Sequence, residues 1–592
     1  MKKFILILTV MLATSMGLLA QGTSWQTATL ISSGATKTGT LDNIIGEHWY
    51  KINVTTEGTV NLTLDATASG NLLISTSGSY VAGVKDNNTY SRGNFSGSGY
   101  GVVTATYQGT DMGKGTYYIR VCRYNGAGTY SLKYTFTQCS VSNDPEPNND
   151  YEHSSLLQSG STVKGRLGYR TSDDVTDNED WYKIVVPEEG HVELMATSTA
   201  TATENMLLST NASYVAGFKN GGTYSRGNIS APGYGNDTIT YLATDMGKGT
   251  YYIRICRYNG CGGYRLYYKF TPCSLAADPE PNNDYEHSSL IESGSTVQGR
   301  LGHRTSDDIT DNEDWYKIIV PEEGHVELMA TAIENLRLST SGSYVAGYKN
   351  NGTYSRGNIT APGYGSDTIT YLATDMGKGT YYIRIARYNG CGGYRLYYEF
   401  TPCSLAADPE PNNDYQHSSR LVNGKITEGR LGHRTSDDVT DNEDWYRINV
   451  PKEGPIEITV TATENLMLST SGSQVYSVNA DGSLKSLGSI SASGYGNAKI
   501  TYSKDDMAAG YYYIRISRYS GCGGYRITYN GPAIPGDVDN DGIVDVSDIV
   551  VLIDNVLGNS MGGIDTTVAD MNGDGKIDIV DVVALIDLVL NG

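Results

Sequence analysis

The chain has 592 residues, of which 18% are charged, and a net charge of −21, a length too great for one core that implies roughly four to six domains. Residues 536–592 hold 12 Asp against one Lys, so the acidity is concentrated there and the remainder is only mildly acidic. Nowhere is there the basic field that nucleic-acid binding requires, and that class is excluded.

Lys2 and Lys3 precede the apolar run FILILTVMLATSMGLLA, and Ala20 stands before Gln21. A charged start, an apolar middle and a small residue at the cut describe a secretory signal peptide over residues 1–20, hence an extracellular protein. A membrane anchor is the weaker reading, because Thr9, Thr14, Ser15 and Gly17 interrupt a short run. No later stretch is apolar enough to span a bilayer.

Self-comparison then finds a domain-sized repeat. DPEPNNDYEHSS begins at Asp144 and Asp278 and returns as DPEPNNDYQHSS at Asp408, while Asp-rich segments lead into Trp181, Trp315 and Trp445. A divergent first copy surrounds EHWYKINV at Trp49 and lacks both acidic segments. The expected modules are 22–139, 144–273, 278–403 and 408–531. Within a copy, WYKIVV, HVELMAT, ENMLLST, TITYLAT, GTYYIRI and GYRLYYKF alternate or run apolar between Gly, Asn, Asp and Ser. No helical period appears, so each copy is expected to be an antiparallel β-sandwich of jelly-roll type. Tyr outnumbers Phe 47 to 6, which suits half-buried strands that need an apolar ring with a polar tip.

The order DPEPNND, G-x-L, Asp-rich loop into DWY, GTYYIRI and closing GGYRLYY resembles the bacterial pre-peptidase C-terminal domain, a β-sandwich related to clostridial collagen-binding domains. That resemblance covers 144–531 well and 22–139 weakly. It implies one calcium per module, held by the acidic Asn-rich segment and the Asp-rich loop. The candidates are Glu146, Asn148, Asn149, Asp177 and Asp180; then Glu280, Asn282, Asn283, Asp311 and Asp314; then Glu410, Asn412, Asn413, Asp441 and Asp444. The competing reading makes these Asn and Asp residues simple turn formers. Copy one has Asp42, Asn43 and Glu47 but no DPEPNND, and is expected to bind no ion.

TYSRGN…GYG places Tyr224, Arg226 and Tyr234, and again Tyr354, Arg356 and Tyr364, on what read as Gly-rich loops. Rings with a guanidinium suit sugar stacking or peptide docking, against the alternative that the tyrosines pack a sheet edge. The eight His, such as module-equivalent His153, His287 and His417, have no nucleophile or metal partner nearby in sequence, and read as surface or packing residues. Eight cysteines occupy three repeated positions. Pairing each linker Cys with the turn Cys of the next copy uses six of them, as Cys139–Cys261, Cys273–Cys391 and Cys403–Cys522, and leaves Cys122–Cys256. Internal pairs Cys261–Cys273 and Cys391–Cys403 are the alternative.

The most specific signal is DVDNDGIVDVSD at Asp537–Asp548, which recurs as DMNGDGKIDIVD at Asp570–Asp581. In the first loop Asp537, Asp539 and Asp541 offer oxygens at positions 1, 3 and 5. Gly542 permits the turn, Ile543 offers its carbonyl, and Asp545 and Asp548 close the cage. In the second the same offsets hold Asp570, Asn572, Asp574, Gly575, Lys576, Asp578 and Asp581. Each loop runs into an amphipathic helix, with Ile549, Leu552, Ile553, Val556 and Leu557 in one and Val582, Leu585, Ile586, Val589 and Leu590 in the other at i, i+3, i+4, i+7, i+8. This loop-then-helix duplicate over 536–592 resembles a type I dockerin, which implies two calcium ions and a cohesin partner on a scaffold or cell-surface protein. In that family partner contact falls at loop positions 10 and 11, here Val546, Ser547, Ile579 and Val580. These are more apolar than the usual Ser or Thr.

Together these readings give a secreted, non-catalytic, multi-modular protein whose modules bind a polysaccharide or an extracellular protein, in a cellulosome-like polysaccharide-degrading system. The alternative is a hydrolase with an unrecognised active site in a sandwich module.

Overall fold

In the computed structural model, residues 22–142, 144–540, 542–559 and 564–591 are described; the signal peptide expected over 1–20 lies outside them. The chain forms two compact units, Met1–Ser274 with His303–Thr310, and Leu275–Gly302 with Asp311–Gly592. Among the described residues no helix is long and apolar enough to cross a membrane.

The first unit carries the sandwich modules built on the cores around Tyr50 and Tyr182, and the second those around Tyr316 and Tyr446. The module after Asp144 shows the common plan. Its larger sheet has seven strands, ordered Ser155–Leu156, Glu179–Val186, Gly249–Asn259, Leu207–Ser209 and Gly235–Asn236, with the hairpin Tyr214–Lys219 and Gly222–Asn228 joined to Gly249–Asn259. The smaller sheet orders Thr162–Leu167, Gly262–Pro272, Gly190–Ser198 and Thr238–Met246. Pairing is antiparallel except that Ser155–Leu156 lies parallel to Glu179–Val186. In Gly190–Ser198 alternate residues Val192, Leu194 and Ala196 are buried, as a sheet with one face on the core dictates. Glu179–Val186 breaks that alternation, because Asp180, Trp181 and Tyr182 are all buried.

The tyrosine excess has a specific cause. The twelve largest fully buried side chains are all Tyr, and several of their hydroxyls meet polar atoms inside the core. Tyr182 and Tyr264 share a hydrogen bond at 2.7 Å, and Tyr251 donates to the Gly247 carbonyl at 2.8 Å. Phe in those places would leave the acceptors bare.

The helical segment has a small core of Val538, Leu552, Ala569, Val582 and Leu585. Its helices are α1 (Val546–Val556), α2 (Thr566–Ala569) and α3 (Ile579–Asn591). Leu557 and Leu590, expected on the core face, are exposed instead. α1 ends at Val556, so Leu557 is its C-cap, and Leu590 lies in the last turn of α3.

Candidate functional site

The first loop of the helical segment is assembled around a buried carboxylate. Asp548 accepts from the amides of Val538 (2.7 Å), Asp539 (3.0 Å) and Asp545 (2.8 Å). Asp537 accepts from Gly542 N at 2.7 Å, and Asp545 caps α1 through Ser547 N. Gly542 and Gly575 both adopt φ +80°, the left-handed turn that position 6 demands. Oxygens of Asp537, Asp539 and Asp548 converge within 4.8 Å of one another, a set that hard cations take. Asp541 lies outside the described residues.

The second loop repeats the plan. Asp581 accepts from Met571 N, Asn572 N and Asp578 N, while Asp570 accepts from Gly573 N and Gly575 N. Asp574 accepts from Lys576 N and Asp578 from Val580 N. The carbonyls of Ile543 and Lys576 sit at position 7 of each loop. The two loops differ in surroundings. Lys425 donates to the Asp539 carbonyl at 3.2 Å and Asn449 to the Gly542 carbonyl at 3.4 Å, so the first loop leans on the preceding sandwich module. Nothing lies within 4 Å of a Cβ built at Gly573 or Gly575 in the second.

Beside the loops, Val546, Ser547, Ile579 and Val580 are all exposed. Val550 and Leu557 on the first helix, and Val583 and Leu590 on the second, are exposed too. These are matching positions of the duplicate, so two equivalent apolar stripes face outward.

A second kind of acidic site sits at the start of modules two, three and four. Oxygens of Asp144, Glu146 and Asp180 converge within 4.8 Å, as do those of Asp278, Glu280 and Asp314, and of Asp408, Glu410 and Asp444. Asp144, Asp278 and Asp408 were not among the sequence candidates. Their signal was available as the first residue of each DPEPNND. Asn148 is fully buried, donates to Asp144 at 2.8 Å, and is fixed by its carbonyl accepting from Trp181 N at 2.7 Å. Asp180 accepts from Tyr264 at 2.6 Å through one oxygen. Its other oxygen, and Asn148 Oδ1, are buried without a hydrogen-bond partner, as are the equivalents on Asn282, Asp314, Asn412 and Asp444. Buried acceptors left bare are costly unless a cation fills the gap. The donor set therefore fits calcium.

Electrostatics agree. Burial first, then the charges of Glu146 and Asp144, pushes the Asp177 carboxyl up to about 8. Asp180 is raised well above its ordinary range by burial, then by Asp144 and Asp177. Asp314 rises for the same reasons with Asp278 and Asp311, and Asp441 reaches about 8 through burial, Glu410 and Asp408. Asn149, Asn283 and Asn413 are exposed and turn their amides onto Glu146, Glu280 and Glu410. In module two the cleft at this site is lined by Glu57 and Lys114 of module one together with Asp144, Glu146 and Asp177. Buried Arg166 ties the two modules, donating to Thr56 Oγ1 and Glu57 at 2.7 Å each.

Two sequence readings need correction. Tyr224 and Arg226 do not form a loop site, because TYSRGN is the strand Gly222–Asn228. The Arg226 side chain is 1% exposed, lies over the Tyr251 ring, and donates to the carbonyls of Arg304 and Asp245. Arg356, over Tyr381, does the same with Arg434 and Asp375, and Tyr354 stacks beneath Arg434. Of the six candidates only Tyr234 and Tyr364 are exposed.

The cysteines are the second correction: none of the expected bridges, Cys139–Cys261, Cys273–Cys391, Cys403–Cys522 or Cys122–Cys256, is formed among the described residues. Cys139 and Cys261 do share one apolar cluster with Val141 and Tyr169, where Cys261 donates to the Thr110 carbonyl at 3.1 Å. Cys403 instead faces Glu464, and Cys522 donates to the Thr374 carbonyl. Cys122 and Cys256 lie in paired strands opposite Glu47 and Glu179 of their own modules.

The histidines divide between surface and packing positions, as the sequence reading allows. His153, His287 and His417 pair with Asp150, Asp284 and Asp414 on the surface, but His48 and His433 are buried.

Residues 535–590 match the family model described as the dockerin type I domain. No curated protein matches the chain. Among solved structures, the pre-peptidase C-terminal domain of a collagenase from Bacillus anthracis is 19% identical, covering 18% of this chain and 94% of that one, with a TM-score of 0.15. A triple jelly-roll protein of an archaeal virus turret is 10% identical over 63% of this chain and 90% of that one, TM-score 0.12. The CUB1-EGF-CUB2 segment of human MASP-1/3 is 11% identical over 40% and 99%, TM-score 0.11.

Proposed function

From a type I dockerin at residues 535–590, which confers calcium-dependent docking onto a cohesin-bearing partner, we propose that the whole chain is an extracellular, non-catalytic binding protein. In this reading it is carried by a scaffold or surface protein of a polysaccharide-degrading assembly. The observation that carries the docking half is the pair of exposed apolar stripes, Val546, Val550 and Leu557 on one helix and Ile579, Val583 and Leu590 on the other. Each stripe stands beside a loop whose carboxylates are already oriented by backbone amides. Calcium at those loops neutralises the clustered acids and fixes the helix starts, so the stripes are presented only in the loaded form. The apolar character at Val546 and Ile579 selects a cohesin with an apolar patch in place of a polar one.

The sandwich modules are the cargo. Modules two, three and four would each hold a further calcium through Asp144, Glu146, Asn148 and Asp180 and their equivalents, which tie the linker to the body of the domain. No step of chemistry is assigned to them. Supporting a binding role is the near-identity of modules two and three: repeated copies raise avidity for a repetitive target, whereas catalysis seldom needs the same domain several times.

The test is capture of the purified chain on a panel of immobilised cohesins in calcium and in chelator, with a Val546→Asp, Ile579→Asp double variant alongside. Calcium-dependent capture that the double variant loses supports the docking. Capture unaffected by chelator, or by both substitutions, refutes it. Assays of the chain against polysaccharides and proteins test the non-catalytic half; turnover abolished by one carboxylate substitution would overturn it.

A further inference from the structure

Every sandwich module exposes the same pair of tyrosines. In module two they are Tyr234, 71% exposed, and Tyr258, 53% exposed. Tyr234 sits in the APGYG turn that leads into the edge strand Gly235–Asn236, and Tyr258 in the last residues of Gly249–Asn259 before the hairpin turn. The Tyr258 ring lies directly on Gly235: any Cβ there would collide with the ring carbons. Tyr258 is thus seated against main chain while remaining half-exposed, and Tyr234 is the residue before that glycine.

The arrangement recurs in the copies that have drifted most. Module one, which lacks the acidic site, has Tyr100 and Tyr124 with the second ring on Gly101. Module four, which has lost TYSRGN, has Tyr495 and Tyr519 with the ring on Gly496, exposed 77% and 59%. Module three has Tyr364 and Tyr388 on Gly365. The turn is held alike each time: the carbonyl of the first tyrosine accepts from the amide of Thr76, Thr210, Thr340 or Thr470. An arginine precedes the second tyrosine in every copy and is braced at the hairpin. Arg257, for example, donates to the Gly260 carbonyl at 3.0 Å and to Asn178 Oδ1 at 2.7 Å.

The same two exposed rings recur in all four modules, even where the neighbouring motifs have been lost, and this recurrence points to a ligand. We infer that each module presents this tyrosine pair as a stacking platform for a neutral polysaccharide. The inference rests on the binding-protein reading above and names its ligand class. Flat rings seated on glycine match the apolar face of a pyranose, and Tyr keeps a hydroxyl for the sugar's polar rim. The sandwich modules are themselves mildly acidic, which disfavours a polyanionic glycan. A peptide target is disfavoured because the adjacent edge strand has only two residues in each module, too few main-chain groups for strand addition. One platform in each of four modules suits a ligand whose chemistry repeats along its length.

The experiment uses the full chain, with xylan, glucomannan and cellulose as probes, polygalacturonate and fibrillar collagen as the competing classes, and cohesin capture measured in parallel. Native affinity electrophoresis and depletion assays should show retention on at least one neutral polysaccharide. Changing all eight tyrosines to Ala should weaken it by at least tenfold, a loss on the order of one stacking contact, while Tyr→Phe at the same sites preserves most of it. Circular dichroism and undiminished cohesin capture would show that the Ala variant is folded. Retention that the Ala variant keeps would overturn the platform while leaving the binding-protein reading intact. Loss of collagen or polygalacturonate binding in place of neutral-glycan binding would overturn the ligand class. A wild-type chain retained by none of the probes would overturn both the platform and the cargo half of the proposed function.

Discussion

The buried carboxylates of modules two and four make stability depend on pH in opposite ways with and without calcium. Asp177 and Asp441 titrate at about 8 in the folded, ion-free protein, against about 3.9 when unfolded. Between those values the folded state binds the extra proton, so stability falls as pH rises through the window and is greatest below it. At about 1.4 kcal/mol per pH unit, moving from about pH 5 to pH 8 removes up to roughly 4 kcal/mol for each group. Halving that for the residual solvent access of both side chains leaves about 2 kcal/mol per module, a fall of about 5–10 °C in midpoint for a domain of this size. Calcium replaces the proton and holds the anionic form, so with excess calcium the midpoint should be flat or rise over the same range. The assay is differential scanning calorimetry of the full chain in resin-stripped buffer at several pH values, with and without added calcium. The later transitions, assigned by comparison with an Asp180→Asn, Asp444→Asn variant, are the ones to follow. A midpoint that stays level from pH 5 to pH 8 without calcium would refute the reasoning, as would an equal fall in its presence.

Other expectations follow from single contacts. Asp180→Asn keeps the hydrogen bond from Tyr264 but removes one buried charge, so it should raise ion-free stability by about 1–3 kcal/mol and abolish one calcium equivalent in titration calorimetry. Arg166→Met removes the guanidinium that neutralises Glu57 and donates to the Val141 carbonyl and should cost about 3–5 kcal/mol, lowering the melting of the first unit; unchanged melting would show the junction to be loose. Gly575→Ala forces a side chain into φ +80°, and should weaken calcium binding at the second loop with about 1–2 kcal/mol of strain, read from a calcium titration of helix content.

Much of this architecture is legible in the sequence, because its signals are local. Period-2 burial in strands such as Gly190–Ser198, the left-handed glycine of each calcium loop, and the repeated DPEPNND segments are each set by neighbouring residues. What the sequence conceals depends on distant ones. TYSRGN reads as a loop because it is rich in Gly and Ser, yet it pairs as a strand with Tyr214–Lys219, and its arginine is used by carbonyls 19 and 78 residues away. The i+8 leucines of the two helices fit the apolar period but fall at the helix ends, outside the small core. Asp144 stands before a Pro, where an Asp also suits a turn. Only the fold brings it against Asp180.

Module one shows which of these features are structural and which serve the acidic site. At the position of Asp180 it has His48, equally buried, whose Nδ1 shares a hydrogen bond with Tyr130 at 2.8 Å just as Asp180 does with Tyr264. Burial lowers the pKa of His48, so at neutral pH the ring is uncharged and the tyrosine pair Tyr50–Tyr130 remains intact. The sandwich therefore needs a polar partner for its buried tyrosine, and a neutral imidazole meets that need with no counter-charge. An aspartate in the same place meets it only at the expense of a buried anion beside Asp144 and Glu146, which destabilises the ion-free fold. Three of four modules retain that unfavourable choice, together with an oxygen on Asn148, Asn282 or Asn412 that nothing in the protein satisfies. Folding alone does not account for it, since His48 shows the less costly solution within the same chain; the cation proposed for modules two, three and four would.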